Sequence, residues 1–322
     1  MTMKIGLRTV KTAVTASIGI WLATILGFKY ASTAGVVAIL SVTNTKRSSV
    51  KIGVGRILAF ILATIMAYFW YHVIGYTPLA YCLLLLFYIP VAGKWKMPEI
   101  VPINSVLMTH FLNEKSMAPW LILNAFGLLL IGITLALIAN LHMPSVKEDI
   151  EENKQVVDQT IQKLLRQFSE LLYRKDVANE CNALLEGLSK SIKQGRQLSK
   201  RHMENQLLSQ DEYYLSYFNM RLRQFETLED MNELIKQIDV DKDVAESVET
   251  LLINIADTYA EDNDGLALKE EVLEVFQMYE TKPLPTSRSE FENRAKLYQL
   301  LLQVQTFIDI KVNFSRIHEK ML

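Results

Sequence analysis

Hydrophobic residues come in blocks over the first part of the chain and at helical intervals over the rest. Six apolar segments stand out, at about 10–28, 31–43, 54–74, 79–92, 100–112 and 120–141. The first, third and sixth reach or approach the ~20 residues an α-helix needs to cross ~30 Å of hydrocarbon. The other three are shorter, a length that also suits re-entrant or buried core helices.

Beyond Pro144 the spacing changes. Val157, Ile161, Leu164, Leu165, Phe168, Leu171 and Leu172 recur every three or four residues. Similar stripes occur at Leu184, Leu185, Leu188 and Ile192, at Tyr214, Tyr217, Phe218, Phe225 and Leu228, and at Val244, Val248, Leu251, Leu252 and Ile255. Val272, Val275, Phe276 and Tyr279 mark a further helix that "KPLP" ends. Ser287 and Glu290 then form a capping box before a long last helix with Leu301, Leu302, Val304, Phe307 and Ile308. No alternating strand pattern competes, and the aromatic stripe of Tyr213, Tyr214, Tyr217 and Phe218 reads as core. The predicted fold class is all-α: a six-span transmembrane domain over residues 1–144, then an antiparallel helical bundle over 145–322.

Charge sharpens that division. Up to Pro144 there are eleven basic residues and two acids, Glu99 and Glu114, which leaves 23 basic and 33 acidic residues of the chain's 34 and 35 for the rest. The halves therefore carry net charges of +9 and −10 although the whole is nearly neutral. With all six segments crossing from a cytoplasmic N-terminus, the inside receives Lys4, Arg8, Lys11, Lys46, Arg47, Lys51, Arg56, Lys94 and Lys96, and the outside only Lys29 and Lys115. That is the positive-inside pattern, and it predicts both termini and the acidic half in the cytoplasm. The basic turn in "SVTNTKRSSVKIGVGR" is then first a topology anchor. The N-terminal stretch imitates a secretory signal, but the apolar segments that follow at once make it an uncleaved first span. Cys82 and Cys181 lie in unlike halves, so no disulfide is expected between them.

Small residues repeat every four positions on two segments: Thr15, Gly19, Ala23 and Gly27 on the first, and Gly55, Ala59, Ala63 and Ala67 on the third. Such ladders let membrane helices approach backbone to backbone, which predicts close packing of spans one and three.

Catalytic chemistry is absent from the pattern. "GVGRIL" lacks the third glycine of a dinucleotide loop, and no P-loop, metalloprotease helix, nucleophile elbow or zinc-spaced Cys/His set occurs. No enzyme activity, metal, cofactor or nucleic-acid partner is expected. What remains is a polar set in or beside the apolar segments: Asn44, Arg56, His72, Asn104, His110 and Asn124. Polar groups at such positions usually face a bundle interior or a water-filled cavity. His72 in "YFWYHVIGY" reads as interfacial. Asn104 and His110 lie in "MPEIVPINSVLMTHFL", where Pro98 and Pro102 should disrupt regular helix.

The order of parts, with "TKRSSVKIGVGRILAFILATIMAY" as its most specific element, resembles the aromatic acid exporter family. Within it the chain is similar to a short Gram-positive branch of multi-pass membrane proteins with a dedicated C-terminal domain. The resemblance implies a bacterial plasma-membrane location and a secondary exporter of small aromatic carboxylic acids or related amphipathic anions. On that reading Lys46, Arg47 and Lys51 would draw the anion in and Arg56 would pair with its carboxylate. Tyr68 and Trp70 would receive the ring, with Asn104 nearby, and His110 would be the titratable group for proton coupling. The expected partners are the lipid bilayer, a small aromatic anion and further copies of the chain in a homo-oligomer. A different class remains open: a membrane-tethered interaction or regulatory protein whose acidic bundle binds a cytoplasmic partner.

Overall fold

The computed structural model describes residues 7–43, 45–94, 98–141, 145–206, 211–240, 242–259 and 264–318. Asn44, Lys4 and Lys96, all named above, lie outside the described residues. The described chain is all-α, without strands, and divides into two compact units: Met1–Pro144 with Glu204–Ser209, and Ser145–Met203 with Gln210–Leu322.

The first unit contains α1 (Leu7–Ile25), α2 (Ser32–Ser41), α3 (Lys46–Ile74), α4 (Pro78–Gly93), α5 (Val101–Glu114) and α6 (Pro119–Leu141). By length and composition α3 and α6 can each cross a membrane, whereas α2 and α4 are apolar but shorter. At 1.5 Å per residue α2 spans only ~15 Å and α3 ~43 Å. The basic stretch before the third segment departs from expectation. It is not a turn. Thr45 caps α3, its hydroxyl accepting from Ser48 N–H at 3.3 Å, so Lys46, Arg47, Lys51 and Arg56 are all helical. The buried face had already started there: Ser49, Gly53, Arg56, Phe60, Ala63, Ala67 and Tyr71 follow helical spacing, while Arg47 and Lys51 point outward.

Prolines act as starters rather than breakers. Pro78 opens α4 behind the Thr77 cap, and Pro98 opens a single 3-10 turn, Pro98–Ile100, that leads into α5. Pro102 then sits in the first turn of α5, where a missing N–H costs nothing.

This unit is apolar outside as well as inside. Its interior holds Ala34, Ala38, Ala59, Ala63, Ala67, Ala80 and Ala92 at zero exposure beside large residues such as Leu84 and Phe111, while Trp21, Ile65, Leu86 and Leu123 stand outward. Small residues at the helix contacts and large apolar ones outside suit a lipid surround, in which close backbone approach replaces a hydrophobic driving force. The two ladders do not face each other. α1 packs on α2 and α6, and α3 packs on α4, α5 and α6, with Ala59, Ala63 and Ala67 in one buried cluster with the Ala80, Leu84, Tyr88 and Ala92 stripe of α4; α1 and α3 are not packed partners among the described residues. Gly27 leaves its ladder altogether. At φ +72° it is the left-handed cap of α1, with Phe28 N–H returning to Ala23 O at 3.0 Å.

The tightest approaches involve glycines outside both ladders. A Cβ on Gly132 would lie 2.8 Å from Ala34 O and 2.5 Å from Val37 Cβ, and one on Gly35 would lie 3.1 Å from Ala16 O. These contacts lock α2 between α1 and α6.

The second unit contains α7 (Lys147–Leu171), α8 (Ala178–Asn205), α9 (Tyr213–Lys236), α10 (Lys242–Thr258), α11 (Leu266–Thr281) and α12 (Arg288–His318). The sequence stripes form one core in which Val157, Ile161, Leu164, Leu188, Phe218, Leu228, Leu252 and Leu301 have zero exposure. Ser287 accepts from Glu290 N–H at 3.1 Å, and the Glu290 carboxylate reaches Thr286 N–H at 2.8 Å, one residue earlier than the standard box.

Candidate functional site

Arg56 is the centre of the first unit's polar interior. One helical register puts it on the α3 face that also carries Ser49 and Phe60, so folding buries its side chain completely. Its guanidinium donates from Nη1 to Ser41 Oγ, from Nη2 to Leu40 O at 2.7 Å and from Nη2 to Glu99 O at 3.4 Å. Every one of these acceptors is neutral. Nε is buried and has no hydrogen-bond partner. A buried cation is costly unless it is paired and its donors are filled, so this arrangement is unusual.

Asn104, also fully buried, lies on the α5 side of the same site. Its Nδ2 donates to Arg56 O at 3.2 Å and to Ile100 O at 3.1 Å, leaving Oδ1 unfilled. The Tyr88 hydroxyl of α4 is likewise buried; it lies by the Asn104 side chain without a well-formed hydrogen bond. Residues of the second and fifth apolar segments and of the turn before α5 thus converge on Arg56; Arg56 and Asn104 have no exposure, whereas Leu40 and Glu99 reach the surface of the unit.

Two further polar groups flank this centre. Beside the start of α3, Ser49 Oγ meets Thr43 Oγ1 at 2.6 Å, Thr45 O at 2.9 Å and Asn140 Nδ2 at 2.5 Å. At the α1–α2 connection, His110 Nε2 meets Thr33 Oγ1 at 3.1 Å, and its ring stacks on Tyr30 at 4.2 Å between centroids. Tyr30, left-handed at φ +62°, bonds Glu114 at 3.1 Å, and Glu114 pairs with Lys29 at 3.0 Å. Asn124 clamps the Lys29 backbone on both sides, accepting from N–H at 2.8 Å and donating to O at 3.0 Å. Sequence reading singled out His110 and Asn124 but gave Tyr30, Thr33, Glu114, Ser41, Ser49 and Asn140 no role. Hydroxyls in apolar helices are common, and only their convergence distinguishes these.

Tyr68 and Trp70 are not brought to Arg56. They lie twelve and fourteen residues further along α3, ~18 and ~21 Å by helical rise. Tyr68 is exposed and stacks on His72, and Trp70 stacks on Phe87. Lys46 is half-buried, and Arg47 and Lys51 are exposed on the outer face of the first turns of α3.

In the second unit a groove of about 310 Å³ is lined by Tyr279, Lys282, Leu284, Phe291, Arg294 and Tyr298, with Leu284 87 % exposed. Its cations are engaged, Arg294 with Glu290 at 2.5 Å and Lys282 over the Tyr279 ring.

An all-α fold with an apolar exterior and small residues at the helix contacts is the pattern of a helical membrane protein. Family models agree over nearly the whole length: "Aromatic acid exporter family member 1" matches residues 3–143, and "Putative aromatic acid exporter C-terminal domain" matches residues 147–312. The chain belongs to the aromatic acid exporter family. It is 28% identical over 321 residues to "Uncharacterized protein YqjA" of Bacillus subtilis (strain 168), covering 98% of this chain and 97% of that one. A crystal structure of a "putative membrane protein from Clostridium difficile 630" aligns with 54% of this chain and 99% of its own, at 24% identity and a TM-score of 0.46.

Proposed function

We propose that the first unit exports small amphipathic anions, aromatic carboxylic acids foremost, across the bacterial plasma membrane, with Arg56 as the group that binds the carboxylate. The observation that carries this reading is the state of Arg56: fully buried, touching only neutral acceptors, with Nε unfilled. A carboxylate supplies the charge and lone pairs that such a fork lacks. Asn104 and the Tyr88 hydroxyl offer further polar contacts, and Phe60, one turn on from Arg56 on the same buried face, takes the place first given to Tyr68 and Trp70. Lys46, Arg47 and Lys51 raise the local anion concentration at the start of α3. His110 is the proton-coupling group. Six crossings with both termini cytoplasmic, in a homo-oligomer, complete the proposal.

Efflux from proteoliposomes of benzoate, 4-hydroxybenzoate and cinnamate, with and without a proton gradient, tests it. Arg56→Lys, which keeps the charge and loses the planar fork, should lower transport at least tenfold, about 1.4 kcal/mol, while Lys46→Arg and Lys51→Arg should not. Equal efflux from wild type and Arg56→Lys removes Arg56 from the mechanism. If no compound moves, the tethered interaction protein is the reading left standing. Topology has its own test: cysteines at Lys29 and Lys115 should label from outside, and those at Lys46 and Lys94 only from inside.

A further inference from the structure

The acceptors that fill Arg56 come mostly from one place, the C-terminus of α2. Helix ends leave carbonyls without intrahelical partners, at the negative pole of the macrodipole. In α2, Val42 N–H answers Ala38 O at 3.2 Å, and Arg56 answers Leu40 O at 2.7 Å and the side chain of Ser41, the last helical residue. Ser41 Oγ is fastened in turn to Val37 O at 2.5 Å. Two oxygens from adjacent residues, carrying partial negative charge, therefore sit on the guanidinium where a carboxylate would sit. The Glu99 carboxylate acts on Arg56 only through space, and what bonds the guanidinium is its main-chain oxygen.

We infer that the end of α2 is an internal stand-in for the substrate carboxylate, so that binding the anion and releasing the α2 C-terminus are one event. This rests on Arg56 being the anion-binding group. A carboxylate brings a full negative charge and a planar pair of oxygens that match the guanidinium fork, which the Leu40 carbonyl and the Ser41 hydroxyl do not. It engages the vacant Nε together with Nη2, and so displaces the Leu40 carbonyl, the shorter of the two Nη2 contacts. The freed end belongs to a helix of ten residues, joined by a short link to the basic start of α3. Gly35 and Gly132 hold the body of α2 against α1 and α6, so the movement is confined to its last turn.

Hydrogen exchange of the full-length chain in lipid nanodiscs reads this directly, with sodium benzoate as probe and neutral benzamide as control. Exchange over residues 38–45 should rise several-fold with benzoate and stay unchanged with benzamide, while α6 remains protected in both. Arg56→Gln should exchange fast over the same residues without any anion and show no response to benzoate. Ser41→Ala, a milder change that keeps Arg56, should tighten benzoate binding a few-fold by removing one internal competitor. Benzoate binding that depends on Arg56 without any change over 38–45, or weaker binding in Ser41→Ala, would overturn the inference and leave the anion-binding reading intact. If benzoate, 4-hydroxybenzoate and cinnamate all fail to bind the wild type, the anion-binding reading fails and the inference with it.

Discussion

Two arginines among the described residues have no solvent exposure, and their surroundings are opposite in kind. Arg221, on α9, lies between the rings of Tyr217 and Tyr259, 4.8 Å from each centroid. Its Nη2 is 2.7 Å from Asp158, Nε donates to Tyr217 at 3.1 Å, and Nη1 donates to Gln224 at 2.8 Å and to Tyr259. Burial pushes the Tyr217 hydroxyl well above its ordinary range, so it stays a neutral hydrogen-bonding group. Lys154 and Lys311 are buried beside the same tyrosine rings. Arg221 is thus paired, stacked and fixed, as a structural cation in a helical core should be. Arg56 has neutral acceptors and a spare donor. A cation kept without a carboxylate is available to one.

The contrast predicts an order of stabilities. Arg221→Met removes the cation that pairs with Asp158, which keeps only the Tyr217 hydroxyl as donor, and should cost roughly 3–5 kcal/mol. Arg56→Met leaves only carbonyl and hydroxyl acceptors and should cost about 1–3 kcal/mol while abolishing anion transport. Thermal unfolding of the purified full-length variants checks the order, and a reversal would make Arg56 the structural residue and break the comparison.

A second pair sharpens the packing side. At Gly132 an added Cβ would overlap Val37 and the Ala34 carbonyl, so Gly132→Ala should cost about 1–3 kcal/mol through overpacking. At Gly19 the nearest atom is Ala34 O at 3.4 Å, and Gly19→Ala should be close to neutral because helix propensity returns up to ~1 kcal/mol. Equal losses of folded protein at both positions would refute the view that Gly132, rather than the α1 ladder, sets the closest approach to α2.

The smallest expected effect concerns the start of α12. The Thr286 backbone N–H, then the Thr286 hydroxyl, hold the Glu290 carboxyl below its ordinary value of 4.5. A depressed carboxylate stabilises the fold fully above that pH and loses its contribution as pH falls through the lower folded value. The unfolding midpoint should therefore drop slightly more steeply below pH 4.5 in wild type than in Glu290→Gln, read by circular dichroism across a pH series. Parallel curves would show that the cap does no more than a neutral amide can.

Much of this was open to reading from residues near one another in the chain. The periodic apolar positions of α7 to α12, the Ser287 cap and the split in charge at Pro144 all depend on neighbours within a turn or two. The start of α3 was readable in principle, since Ser49, Gly53, Arg56 and Phe60 continue the buried stripe backward. Hydroxyls and charges masked it, because the same residue types also make turns. The prolines misled for a related reason: Pro102 breaks a helix in its interior and begins one in its first turn, and only the position of the helix start tells which.

What the sequence by itself determined is the all-α class, the two unlike halves and the faces that each helix buries, because helical period and hydrogen bonding are local. Which helix covers which face was decided by the tertiary structure. A ladder such as Gly55, Ala59, Ala63 and Ala67 specifies a close neighbour without naming it, and α3 finds its neighbours in α4, α5 and α6 rather than in α1. The same holds for Arg56. Its chemistry is written in the residue, but its burial and the oxygens that occupy it come from Leu40, Ser41 and Glu99, brought together only when α2, α3 and the turn before α5 meet.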